Sequence, residues 1–330
     1  MNTRRKTLSI LLALILTLLA LPALAQSQDG YEPVTIETYN YAHEKVEYTF
    51  TKAPERVLVA YQNNLEIMLK LGLADRIVLA FGLDGAIAED LKDEFAKITY
   101  QQEMPSKEDV VALNPDFILG WYSAFAEDRF GDVGFWHERG VGTYMALNSS
   151  AMGKAAEFPH MIDYEMQDIL TIGKIFKVED KAQALVDEMM AEIDKVQAYV
   201  KESGVEPLSV AVLEDEGDSY RVYGATTLGG DIALKVGAKL AVGAESSENI
   251  GAEDLIAADP DILLMVWFEG FVTPDQAVES IVKKPEFASL KAVKNGNVYA
   301  LNLSEIYCSG LRTLDGIKTF AKALYPSLYQ

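Results

Sequence analysis

Four short clusters in this 330-residue chain carry side chains of the kind that grip small molecules. Tyr61-Gln62-Asn63-Asn64 follows the apolar run RVLVA. Trp121-Tyr122-Ser123, with Phe125 and Arg129 close behind, follows DFILG. Trp267-Phe268 follows DILLMV. Ser304-Glu305, with Tyr307 and Arg312, follows NVYALN. In open parallel sheets, ligands bind outside the carboxyl ends of the strands. Tyr61, Asn63, Trp121, Tyr122, Arg129, Trp267, Tyr307 and Arg312 are therefore the candidate ligand-binding residues. Aromatic rings supply contact area, and guanidinium groups fix carboxylates and other oxyanions. Such walls suit a bulky, partly flat small molecule. Taken singly, each aromatic is as well explained by packing at a strand end; recurrence at equivalent ends carries the reading.

Covalent chemistry finds little support. His43, His137 and His160 fall on unrelated segments without metal-ligand spacing. Cys308, the one cysteine, has no basic neighbour in sequence and reads as packing or cleft lining. GATTLGGD, residues 224–231, imitates a phosphate loop but places Asp231 where a lysine is required. No GxGxxG follows a strand, and no GxSxG occurs. No catalytic residue and no metal ligand is assigned.

Two acids stand out by position. SKEDVVALNPDFIL (106–119) and GAEDLIAADPDILL (251–264) repeat one pattern: Glu-Asp, two aliphatics, Ala, Pro-Asp and an aliphatic run. EIMLKLGL (66–73) and DIALKVGA (231–238) repeat on the same side of it. Glu108 and Glu253 occupy matching places in the first turn of each short helix. Acids there gain a few tenths to about 1 kcal/mol from the helix dipole, and Ser106 with Asp109 forms a capping-box pattern. Local helix electrostatics alone accounts for both acids.

The elements that position these residues follow from periodicity. VTIETYNYAHEKVEYTF (34–50) alternates as a β-hairpin. Strands and short helices then alternate, which implies parallel sheets with covered faces. Between Glu179 and Lys201 apolar residues recur at three- and four-residue steps without Gly or Pro, predicting one amphipathic helix of roughly 35 Å. Strand–helix alternation resumes after it. The repeat predicts two similar α/β lobes, Rossmann-like with parallel sheets, joined by that long helix. The expected division is a signal peptide at 1–25, an N-terminal ligand-binding lobe at 30–178, a bridging helix at 179–203 and a C-terminal lobe at 204–330.

The signal assignment rests on Arg4-Arg5-Lys6, an apolar run from Leu8 to Leu21 too short to span a bilayer comfortably, and Ala23-Leu24-Ala25. It predicts cleavage after Ala25 and a periplasmic product without stable membrane insertion. No cysteine stands near the cut to carry a lipid. The formal net charge of −21 argues against nucleic acid or anionic lipid as a partner.

PERVLVAYQNNLEIMLKLGLADRIV, KEDVVALNPDFILGW, the long helix, LGGDIALKVGA and IGAEDLIAADPDILLM occur in an order that resembles the substrate-binding proteins of ABC importers for iron chelates, haem and cobalamin. The resemblance implies a ligand held between two lobes bridged by a rigid helix, with small closure on binding. It implies a monomer that docks on a permease dimer through one acid per lobe, at Glu108 and Glu253. It implies no enzyme activity and no resident cofactor. The segment YSAFAEDRFGDVGFWHERGVGTYMALNS looks most like the branch that carries ferric siderophores. Haem, with Tyr61, Tyr122 or Tyr307 as axial ligand, and cobalamin stay open as alternatives. So do an exported α/β enzyme and an importer-independent scavenger.

Overall fold

Apolar–polar alternation folds the start of the chain into an antiparallel hairpin, β1 (Val34–Tyr39) and β2 (Lys45–Phe50). The computed structural model describes residues 30–149, 158–245 and 248–330. The expected signal peptide at 1–25 lies outside them. After the hairpin come β3 (Val57–Ala60), α1 (Gln62–Lys70), β4 (Ile77–Phe81), α2 (Lys92–Phe95), β5 (Tyr100–Gln101), α3 (Lys107–Leu113), β6 (Phe117–Gly120), α4 (Val133–His137) and β7 (Gly142–Met145). Their strands form a parallel sheet in the order β5-β4-β3-β6-β7. Two helices follow, α5 (Ile162–Phe176) and α6 (Glu179–Ser203). The second lobe contains β8 (Ser209–Asp215), β9 (Tyr220–Val222), α7 (Leu228–Lys235), β10 (Lys239–Leu240), α8 (Ala252–Ala258), β11 (Ile262–Trp267), α9 (Pro274–Val282), α10 (Lys291–Asn295), β12 (Val298–Asn302) and α11 (Thr313–Leu324). Its parallel order is β10-β8-β11-β12, with β9 antiparallel on β8.

Each sheet is covered on both faces, so its strands read as apolar runs rather than alternations. In β3, Val57 and Val59 face one core while Leu58 and Ala60 face another. In β11, Ile262, Leu264 and Val266 face one side, and Leu263 and Met265 the other. The period of two is present, but both faces are apolar.

The sequence repeat is a structural repeat down to single hydrogen bonds. Helices α3 and α8 each span seven residues and end on a left-handed residue, Asn114 at φ 52° and Asp259 at φ 41°. Pro115 and Pro260 follow. The next residue then ties the turn to the lobe's central strand. Asp116 accepts from the backbone N–H of Glu55 and of Arg56, each at 2.9 Å. Asp261 accepts from Ser209 N at 2.9 Å and Ser209 Oγ at 2.7 Å.

The link between lobes is broader than one helix. α6 does bridge them: Ala182, Val186 and Met189 pack in the first lobe's core, Ile193 and Val196 in the second's. α5 runs beside it in the reverse sense. His160 N donates to Thr226 O (3.1 Å), and Ile162 N to the Asp231 carboxylate (2.8 Å), both in the second lobe. Ile169, Ile172, Ile175 and Phe176 then pack in the first. The two helices touch closely because Gly173 has no side chain; a Cβ there would fall 2.4 Å from that of Ala182.

Candidate functional site

The carboxyl ends of both sheets open onto one cleft between the lobes, holding a cavity of about 260 Å³. The first lobe lines it with Gln62, Asn63, Asp84, Gly85 and Trp121. The second contributes Phe268, Glu269, Phe271 and the stretch from Asn302 to Arg312, including Ser304, Tyr307, Cys308 and Ser309. The rings of Trp121 and Tyr307 meet edge to face across it, with centroids 6.0 Å apart.

Trp121 is locked before any ligand arrives. Its Nε1 donates to Asn63 Oδ1 at 2.8 Å, and Tyr61 stacks on its ring at 4.5 Å. Tyr61 holds this place at φ 70°, and its hydroxyl bonds Ser123 Oγ at 3.0 Å. Asn63 is 4% exposed. Its amide nitrogen donates to Cys308 Sγ and Asn64 Oδ1, each at 3.4 Å, so the residue acts on the site by holding Trp121. Burial pushes the Cys308 thiol well up, with the carboxylates of Glu165, Asp168 and Asp84 adding to it.

Of the eight residues expected from sequence, Asn63, Trp121, Tyr307 and Arg312 line this cavity. Tyr61, Tyr122 and Arg129 form an adjoining patch on the first lobe. Arg129 is exposed and its Nη1 reaches Tyr61 OH at 3.4 Å, while Tyr122 stacks against Tyr41 at 5.8 Å. Trp267 ends β11, half-buried against the second lobe's core, beside the cavity rather than in its lining.

Arg312 requires a correction. Read as a cation for an anionic ligand, it is instead spent on Glu66 of the opposite lobe. Its Nε and Nη2 donate to the two Glu66 carboxylate oxygens at 2.8 and 2.6 Å. Nη2 also donates to Ala86 O at 2.7 Å, and Nη1 to Ser304 Oγ at 3.2 Å. Four of the five guanidinium N–H groups are thus engaged. Glu66 is 1% exposed, so the pair is a buried strut joining the lobes.

A second acid holds the cavity wall. Glu165 of α5 accepts from Ser309 N (3.0 Å), Gly310 N (2.7 Å) and Asn148 Nδ2 (2.7 Å). Burial raises its pKa, and these bonds oppose the rise. Gly310 fits at φ 56° because a Cβ there would come 3.2 Å from Asn63. Burial also pushes the His160 imidazole down to about 4. Its ring lies 6.3 Å from Tyr307.

Sequence reasoning missed Asp84, Glu269 and Phe271. Asp84 was within reach: it follows β4, and the strand-end rule applied to the other strands finds it. Glu269 and Phe271 lie on a turn two and four residues past Trp267, beyond where that rule looks. Among the described residues no group of three or more His, Cys, Asp or Glu could hold a metal ion.

Glu108 and Glu253 are exposed first-turn residues of α3 and α8. Asp109 N donates to Ser106 Oγ at 3.1 Å, and Asp109 and Asp254 accept from the cap backbone N–H groups of Ser106 and Gly251. Local capping is therefore done by the neighbouring aspartates.

Comparison with known proteins agrees with this architecture. A profile for the periplasmic binding proteins matches residues 143–303. A solved periplasmic binding protein from Veillonella parvula superposes with a TM-score of 0.82 at 28% identity, covering 90% of this chain and 93% of its own. The uncharacterized ABC transporter substrate-binding lipoprotein YvrC of Bacillus subtilis is 23% identical over 302 residues, 90% of this chain and 87% of its own. The Fe(3+)-citrate-binding protein YfmC of the same organism is 24% identical over 308 residues, 89% of each. Two pseudo-symmetric parallel-sheet lobes, helices running between them and a ligand-sized cleft at their strand ends agree with these matches: the chain has the two-lobe fold of the periplasmic binding proteins and is similar to ABC transporter substrate-binding proteins.

Proposed function

We propose that the protein is the extracytoplasmic substrate-binding component of an ABC importer. It is exported with cleavage after Ala25, captures a ferric siderophore-type chelate between its lobes, and delivers it to a permease that docks on Glu108 and Glu253. The observation that carries this reading is the inter-lobe cavity walled by Trp121 and Tyr307 at the strand ends of two repeated lobes. A relative named for Fe(3+)-citrate supports an iron chelate as cargo. Binding here is burial of aromatic and aliphatic ligand surface against rings already held in place, which lowers the ordering cost of association. The cavity is slightly smaller than the ~300–1,000 Å³ of most ligand sites. The core of the chelate would occupy it, with the periphery extending past the mouth onto Phe271 and toward the patch of Tyr61, Tyr122 and Arg129.

The test is intrinsic fluorescence, titrated with ferric siderophores, ferric citrate, haemin and cobalamin. Of the three tryptophans only Trp121 lines the cavity. Ferric siderophores are expected to quench emission saturably, and Trp121→Phe to remove most of the change. Flat traces for every ferric chelate would sink the proposal. A Soret band with haemin, lost in Tyr307→Phe, would replace it with haem carriage.

A further inference from the structure

The charged groups on the cavity wall are unequally divided by sign. Arg312, the one cationic side chain in the lining among the described residues, is neutralised by Glu66. Trp121 Nε1 and the Asn63 amide nitrogen are spent within the wall. Beside the hydroxyls of Ser304, Tyr307 and Ser309 and the amide of Asn302, the wall presents acceptors. Gln62, 5% exposed, donates through Nε2 to Glu66 Oε1 at 3.2 Å and Ala86 O at 3.0 Å. Those two acceptors fix the amide's orientation and leave its Oε1 without a partner. Asp84 and Glu269 then bring two carboxylates to the mouth from opposite lobes. Glu269 accepts from Ala86 N at 2.9 Å, which holds it over the loop that carries Asp84. Four rings share the lining with these acceptors: Trp121, Tyr307, Phe268 and Phe271.

Carboxylates framed by aromatic rings are the chemistry of cation recognition: the rings present their negative faces and the acids complete charge-assisted hydrogen bonds. An anionic ligand would instead meet two carboxylates with no unspent cation among the described lining residues, a repulsive arrangement of the kind that rejects wrong partners. We propose that the cleft selects a ligand bearing a positively charged, hydrogen-bond-donating group, such as a protonated amine, seated between Asp84 and Glu269. This rests on the cleft being the ligand site, as proposed above. It narrows the cargo to cationic or amine-bearing chelates and sets aside polyanionic ones.

A single chelate varied at one end tests it. A linear ferric trihydroxamate with a free terminal amine is compared with its N-acetyl (neutral) and N-succinyl (anionic) derivatives. The amine is expected to bind at least about tenfold tighter than the succinyl form, with the acetyl form between. Asp84→Asn and Glu269→Gln, each checked for an unchanged melting curve, are expected to flatten that order. If no ferric chelate binds, the importer-cargo reading fails. The charge preference is then read with phenethylammonium against 3-phenylpropionate by Trp121 quenching. Equal or tighter binding of the anionic member in whichever series binds overturns the inference, as does an order left untouched by both variants.

Discussion

Glu66 and Arg312 meet as a bidentate pair across the lobes, one of them almost fully buried. A buried pair of this kind gains little net stability over an apolar packing, yet losing one partner strands the other. Arg312→Ala is therefore expected to cost about 3–5 kcal/mol in urea unfolding. Glu66→Leu combined with Arg312→Leu is expected to recover much of that. A single-mutant loss below about 1 kcal/mol would mean the pair behaves as a surface ion pair. The identity of Arg312 as a site residue was legible in the sequence, but its employment was not. Glu66 sits inside the helical repeat EIMLKLGL, where an acid looks like an outward-facing residue. Only the fold brings it beneath a guanidinium 246 positions away.

At the scale of elements, α5 carries both a test and a lesson. Its approach from the second lobe is anchored at His160, whose buried ring titrates near 4 instead of 6.5. The unfolded chain takes up that proton first, so the stability held by the neutral ring is complete above pH 6.5 and drains as pH falls toward 4. Glu165 and Asp168, with pKa values raised by burial, act in the opposite direction, since the folded state accepts their protons earlier. The wild-type slope is the difference of the two. His160→Gln removes only the first contribution, so between pH 6.5 and 4 the variant should lose about 3 kcal/mol less stability than wild type. Parallel stability curves for the two proteins would refute the assignment. The long helix α6 was legible because its buried stripe is apolar throughout: Ala182, Val186, Met189, Ile193, Val196. α5 was not read, although equally buried, because its inward face includes Glu165, Asp168 and Gly173. Buried acids serving as acceptors, and a glycine serving as clearance, erase the pattern that periodicity detects. For the same reason the sequence showed one bridge where the structure has two helices running between the lobes.

At the scale of the whole molecule, the repeat places one exposed acid on each lobe, with local capping left to Asp109 and Asp254. On the proposed docking, Glu108→Ala with Glu253→Ala leaves ligand affinity and melting temperature unchanged and removes importer-dependent uptake. Each single variant is expected to fall between the two, since the partner permease presents a matching two-fold. Wild-type uptake by the double variant would return both acids to helix electrostatics.

The chain runs between the lobes along α5 and again along α6, and the Glu66–Arg312 pair adds a strut across the lobes. Two bodies joined at so many points have little freedom to swing. On the proposed docking the molecule would serve as a ruler, holding the separation of Glu108 and Glu253 nearly the same whether the cleft is empty or full. On that reading a permease gripping those acids would learn that a carrier has arrived and nothing about its load. News of the cargo would then have to be read at the rim, where Phe271, 80% exposed, stands over the mouth.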